Sequence, residues 1–106
     1  MRQEKFTEQA QEALAASQAM VHQFRHSQWD VEHILLSLLQ QEGGVTRLIM
    51  DKLGIRPEKM IQKVEEALER TPKVTVEGTQ VYATPRVAQL LQRANEEAQR
   101  LKDEFV

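Results

Sequence analysis

His22 and His26 stand four residues apart, a spacing at which one helix face offers two imidazoles to a metal ion. A site needs at least one more ligand, and the nearest donors, Glu32 and His33, follow only across a turn; no H-E-x-x-H string is present. His22 and His26 therefore read as surface histidines on a solvated face. His33 reads as packed where the first two helices meet, with one ring nitrogen satisfied by backbone. His26, Ser27 and Asp30 bear the names of a base, a nucleophile and an acid, yet they fall within one short stretch at a helix end. A catalytic triad draws an oriented relay and an oxyanion site from separate elements, so these three read as a capping cluster. Glu8, Glu12, Glu65, Glu66, Glu69, Glu96 and Glu97 fall on polar helix faces, with Arg93 and Glu97 spaced as an i,i+4 pair in the less favourable order. Thr84 reads as an N-cap, Thr7 as a cap or helix-surface residue, Glu32 as an acid suited to a helix N-terminus and Asp103 as an exposed charge near a helix end. Trp29, the one tryptophan, sits where a residue before an N-cap staples onto the first turns of the helix. No catalytic residue and no metal site is expected.

The elements that would position these residues are helical. Phe6, Ala10, Ala13, Leu14, Ser17, Val21 and Phe24 recur at steps of three and four, and the interleaved alanines add helix propensity, so a first helix is expected over about residues 5–25. Asp30 caps a second helix with Val31, Ile34, Leu35, Leu38 and Leu39 as its buried stripe, ended by Gly43 or Gly44. Val45, Leu48, Ile49 and Leu53 suggest a short third helix stopped at Gly54. Pro57 opens a fourth, with Met60, Ile61, Val64 and Leu68 as its stripe and Pro72 just beyond its end. Residues 73–83 break the pattern. Val74, Val76 and Val81 favour extended structure and Gly78 offers a turn, so this stretch reads as a linker with a short extended piece. Thr84-Pro85 then opens a fifth helix with Val87, Leu90, Leu91, Ala94, Ala98 and Leu101 on one face. The fold class is all-α.

Composition narrows the function classes. The chain has 106 residues, 41% hydrophobic and 28% charged, with a formal net charge of −2; this suits one small globular domain. The charge argues against nucleic-acid binding, which draws on a basic excess to displace counterions. There is no cysteine, which removes disulfides, thiolate nucleophiles and zinc–thiolate sites. No apolar run approaches the roughly 18 residues of a membrane span, and the first residues lack a signal peptide's apolar stretch. No membrane partner and a cytoplasmic location are the expectations.

A shift of 77 residues lays the first helix on the fifth, with Thr7 meeting Thr84 and Leu14 meeting Leu91. More specific are the local strings. Phe6-Thr7-Glu8-Gln9-Ala10, Val31-Glu32-His33-Ile34-Leu35-Leu36 and Tyr82-Ala83-Thr84-Pro85-Arg86 resemble the N-terminal domain of Clp ATPases. Gln41-Glu42-Gly43-Gly44, Thr71-Pro72-Lys73-Val74 and Leu101-Lys102-Asp103-Glu104-Phe105-Val106 add to it, and the first two resemble the ClpB disaggregase branch in particular. The resemblance implies a pseudo-twofold pair of four-helix repeats. This chain would then hold one repeat plus the first helix of a second, 1–106 being a C-terminally incomplete domain and 73–83 the linker between repeats.

The resemblance also implies a function. Such a domain recognises unfolded or aggregated polypeptide for a hexameric AAA+ ring of the same chain, in a groove with an apolar floor and a polar rim. Thr7 and Asp103 match family residues of the surface that handles unfolded chains. Glu32 matches a glutamate that binds phosphorylated arginine in the ClpC branch. ATP is the cofactor of the full-length family protein; no G-x-x-x-x-G-K-[ST] loop occurs here, so no ATPase activity and no cofactor are expected of this chain. A docking domain for adaptor proteins, as in ClpC- or ClpA-like protease subunits, is the alternative. A helix-turn-helix DNA binder is a third reading, disfavoured by the charge.

Overall fold

The computed structural model describes residues 6–75 and 80–104. Five helices carry the chain: α1 (Glu8–Gln23), α2 (Val31–Gln40), α3 (Val45–Leu53), α4 (Pro57–Arg70) and α5 (Pro85–Glu104). Two short strands, β1 (Gln28–Trp29) and β2 (Tyr82–Ala83), pair in parallel with Gln28 opposite Tyr82 and Trp29 opposite Ala83. The fold is all-α. Among the described residues no helix is long and apolar enough to cross a membrane.

Local chemistry sets the helix ends. The Thr7 hydroxyl accepts from the Ala10 amide at 3.1 Å and starts α1. Asp30 and His33 form a capping box at the start of α2, the carboxylate accepting from the chain ahead and the imidazole accepting from the Asp30 amide at 3.0 Å. Pro57 opens α4 and Pro85 opens α5, where a missing N–H costs nothing. Gly54 closes α3 in the left-handed region at φ 73°, open to glycine without a Cβ penalty. The end of α1 makes the same left-handed turn with an arginine. Arg25 has φ 61°, its amide reaches the His22 carbonyl, and the His26 amide returns to the Val21 carbonyl at 2.9 Å. This is the Schellman closure.

The apolar core divides into two clusters on either side of α2. Leu14, Val21, Trp29, Ile34, Val87 and Leu91 form one; Met20, Leu36, Leu39, Met50, Val64 and Leu68 form the other. Because α2 is covered from both sides, its buried face is wider than one stripe. Leu36 is 1% exposed whereas Leu35, expected inside, is 38% exposed. On α3 the apolar stripe points outward: Val45, Leu48, Ile49 and Leu53 are all exposed and only Met50 is buried. In the stretch read as a linker, residues 76–79 fall outside the described residues. Before them the Val74 amide bonds the Arg25 carbonyl at 2.7 Å, and after them Tyr82–Ala83 forms β2.

Candidate functional site

An apolar concavity lies between α1, α2 and α5. Phe6, Ala10 and Leu14 line it from the α1 side, Ile34 and Leu38 from α2, and Leu90, Leu91 and Ala94 from α5, around about 180 Å³. Small-molecule pockets run to about 300–1,000 Å³, so this groove suits single apolar side chains rather than a cofactor. Thr7 adjoins it through Phe6, exposed at the first turn of α1. Its hydroxyl oxygen accepts in the cap, and a hydroxyl that accepts still carries one O–H donor.

The far wall of the groove is α5, and a polar seat holds its start. Thr84 donates its hydroxyl to Asp30 Oδ1 at 2.9 Å, while its own oxygen receives the Val87 amide at 3.4 Å. The strand pair adds two backbone bonds, Tyr82 N–H to the Ser27 carbonyl and Thr84 N–H to the Trp29 carbonyl. Arg86 reaches Glu32 at 2.9 Å and Asp30 at 3.5 Å; the Glu32 hydrogen bond holds its guanidinium charge more firmly than usual. From this seat α5 runs so that Leu90, Leu91 and Ala94 meet the opening turns of α1.

Of the sequence-predicted residues, Thr7 and Glu32 do not share a pocket among the described residues. Glu32 faces a separate, polar recess beside His26, Ser27, Asp30, His33, Thr71 and Pro72, where it is engaged by Arg86. Asp103 lies in the last helical turn of α5, nine residues beyond Ala94, roughly 14 Å further along the axis at 1.5 Å per residue. The Asp103 side chain lies outside the described residues. Glu97 pairs with Arg100 at 2.8 Å rather than serving the i,i+4 spacing with Arg93.

Sequence reasoning missed a buried pair. His26, expected on a solvated face, is 3% exposed. The helical spacing that linked it to His22 ends at Gln23, and the left-handed turn at Arg25 swings His26 inward. Its Nδ1 lies 2.8 Å from His33 Nε2, its Nε2 lies 3.0 Å from the Leu68 carbonyl, and the Phe24 ring stacks on it. His33 packs as expected, with its Nδ1 satisfied by the Asp30 amide. Burial pushes both imidazoles below their ordinary pKa, His33 further by facing His26. The signal in the sequence was an Asp-x-x-His capping box at residues 30–33, which turns the second imidazole nitrogen away from the helix start. Among the described residues no group of three histidine or carboxylate side chains is gathered as metal ligands. Trp29 is also inside, its indole N–H bonded to the Ser17 hydroxyl at 2.9 Å, and it shares a cluster with Ile34 as the staple reading requires.

Comparison with known proteins places this geometry. Two proteins named chaperone protein ClpB are similar to the chain. The one from Meiothermus ruber is 38% identical over 107 residues, covering 100% of this chain and 12% of the relative. The one from Nitratidesulfovibrio vulgaris is 35% identical over 105 residues, covering 96% and 12%. The chain thus spans about an eighth of the length of these relatives. The N-domain of ClpV from Vibrio cholerae shares the fold with a TM-score of 0.72 at 23% identity, over 85% of this chain and 52% of that one. A structure from investigations of a malarial protein secretion system shares it at 0.76 and 19%, over 92% and 67%. Residues 5–106 match the family model described as the Clp repeat (R) N-terminal domain, and the chain belongs to that family.

Proposed function

We propose that the groove between α1, α2 and α5 receives exposed apolar segments of unfolded or aggregated polypeptide and presents them to an ATP-driven ring carried by modules outside this chain. The supporting observation is the groove itself, partly open and lined throughout by apolar side chains. Burying one leucine-sized side chain contributes about 1.5–3 kcal/mol, less what ordering the client chain costs. Binding of this kind is modest and tolerant of sequence, which suits a domain that must pass its client on. This reading takes Thr7 as a rim group beside the α1 end of the groove and Asp103, further along α5, as a second contact for the client chain; Glu32 is set apart with Arg86.

Docking of an adaptor protein is the second reading. It is favoured by the outward apolar stripe of α3, which lies apart from the groove. One titration separates them. Leu90 is 40% exposed at the groove wall and Leu48 is 56% exposed on α3, so aspartate at either site leaves the fold standing. Reduced, denatured polypeptide should bind wild type and Leu48→Asp alike, and bind Leu90→Asp about tenfold more weakly, equivalent to about 1.4 kcal/mol. Undiminished binding by Leu90→Asp refutes the groove reading.

A further inference from the structure

The directions of the hydrogen bonds around His26 and His33 are fixed from both ends. The Asp30 amide can only donate, so His33 Nδ1 accepts, and the proton of a neutral His33 ring sits on Nε2. That N–H points at His26 Nδ1, which therefore accepts, and the proton of His26 sits on Nε2 and goes to the Leu68 carbonyl. The chain runs one way through Asp30, His33, His26 and Leu68, with every ring nitrogen used once. Both rings are buried, at 2% and 3% exposed. An added proton has nowhere to go. On His26 Nδ1 it would face the His33 N–H, and on His33 Nδ1 it would face the Asp30 N–H.

We infer that this histidine pair is a proton-sensitive clasp that fastens the last turn of α4 and the seat of α5 to the start of α2, and releases both in acid. The α4 link is direct, through the Leu68 carbonyl. The α5 link runs through Asp30, whose amide serves His33 while its carboxylate holds Thr84 and Arg86. A proton taken up on His33 removes the first bond and makes the ring a cation that competes for that carboxylate.

The surrounding charges do not offset this. Glu69 at the end of α4 is paired with Lys73 at 3.4 Å, and Lys73 also lies 5.6 Å from the centre of the Phe24 ring stacked on His26. Asp30 and Glu32 at the start of α2 are engaged by Arg86 from α5. Three carboxylates thus face two cations and are already occupied, which leaves burial to decide, and burial favours the neutral rings. The unfolded chain binds these protons at the ordinary histidine pKa of about 6.5. The clasp is therefore fully effective above that pH and weakens as pH falls below it.

Nitrogen-detected NMR of the imidazoles near pH 7.5 tests the arrangement without a variant: both rings should be Nε2–H tautomers. On lowering the pH to 5, both ring signals and the amides of Glu69 and Val87 should move together with one midpoint below 6.5. Two protons taken up on unfolding raise the unfolding equilibrium constant by up to about 100-fold per pH unit below 6.5, and one proton by up to about tenfold. His33→Gln keeps a side-chain acceptor for the Asp30 amide and does not titrate, so it should reduce the dependence to the single-proton value and leave Val87 still. His22→Gln, at an exposed site, should change neither. An Nδ1–H tautomer on either ring at neutral pH overturns the inference. So do rings that titrate while the Glu69 and Val87 amides stay fixed.

Discussion

Replacing Thr7 separates two jobs that one hydroxyl performs. As the N-cap of α1 its oxygen accepts from the Ala10 amide at 3.1 Å; as a rim group of the proposed groove its O–H donates to a client carbonyl. Thr7→Ala removes both, so it should lower the melting temperature as well as the affinity. Loss of a cap costs about 1 kcal/mol, which for a domain of this size is roughly 4–8 °C in Tm. Thr7→Ser should restore stability and binding together. Thr7→Asp is the informative variant, because aspartate caps as well as threonine and favours the helix N-terminus yet has no proton to donate. Its Tm should match wild type while its affinity for reduced, denatured polypeptide falls by up to about tenfold, the equivalent of about 1.4 kcal/mol. Thermal melts and anisotropy titrations on the same preparations, with affinity referred to folded protein, read both quantities. If Thr7→Asp binds like wild type, the hydroxyl donor has no part in recognition. If neither Ser nor Asp recovers the Tm lost in Thr7→Ala, the cap is not what the hydroxyl contributes.

Two further outcomes follow from the interior. Ser17→Ala strands the buried Trp29 indole N–H, which donates to Ser17 Oγ at 2.9 Å; denaturant unfolding should show a loss of about 1–3 kcal/mol, and the same change made in a Trp29→Phe background, where no donor is left, should cost markedly less. Arg25→Gly relieves a left-handed residue at φ 61° and should raise stability by several tenths to about 1 kcal/mol at neutral pH, measured by the urea midpoint.

What the sequence made legible was local. Thr7, Asp30 and Thr84 as caps and Pro57 and Pro85 as helix openings depend on groups a few residues apart, and the structure has each of them at a helix start. The 77-residue correspondence of Thr7 with Thr84 has the same physical content, two hydroxyls opening two helices. Most of the departures are tertiary. Periodicity says that α3 has an apolar stripe but not whether another element covers it, and Val45 at 62% exposed shows that no described element does. One stripe was expected on α2, which is buried on two sides, so Leu36 escaped notice. His26 was misplaced because a left-handed helix end is ordinarily announced by glycine, and here arginine occupies it. The β1–β2 pair is two residues long on each side, too short for propensity to mark. The residues lining the groove were all in the helical stripes read from sequence; that Ala10, Leu38 and Leu90 converge was not legible, since convergence depends on how α5 is seated.

That seat gives the groove an unusual dependence. Four helices pack around α2 through two apolar clusters, but α5 enters only one of them, with Val87 and Leu91 as its deeply buried members. Two such side chains contribute about 3–6 kcal/mol at most, and ordering a long helix costs a comparable amount or more. The position of α5 therefore owes much to polar groups: Thr84 on Asp30, Arg86 on Asp30 and Glu32, and the two backbone bonds of the strand pair. Those groups surround the start of α2, whereas the groove opens further along α5 at Leu90 and Ala94. A small change in angle at the seat is magnified along the helix into a change in groove width. Substitutions at Asp30 or Thr84 should accordingly alter polypeptide affinity without touching the groove, and the cluster built on Leu36, Leu39 and Leu68 should hold the remaining helices together while they do so.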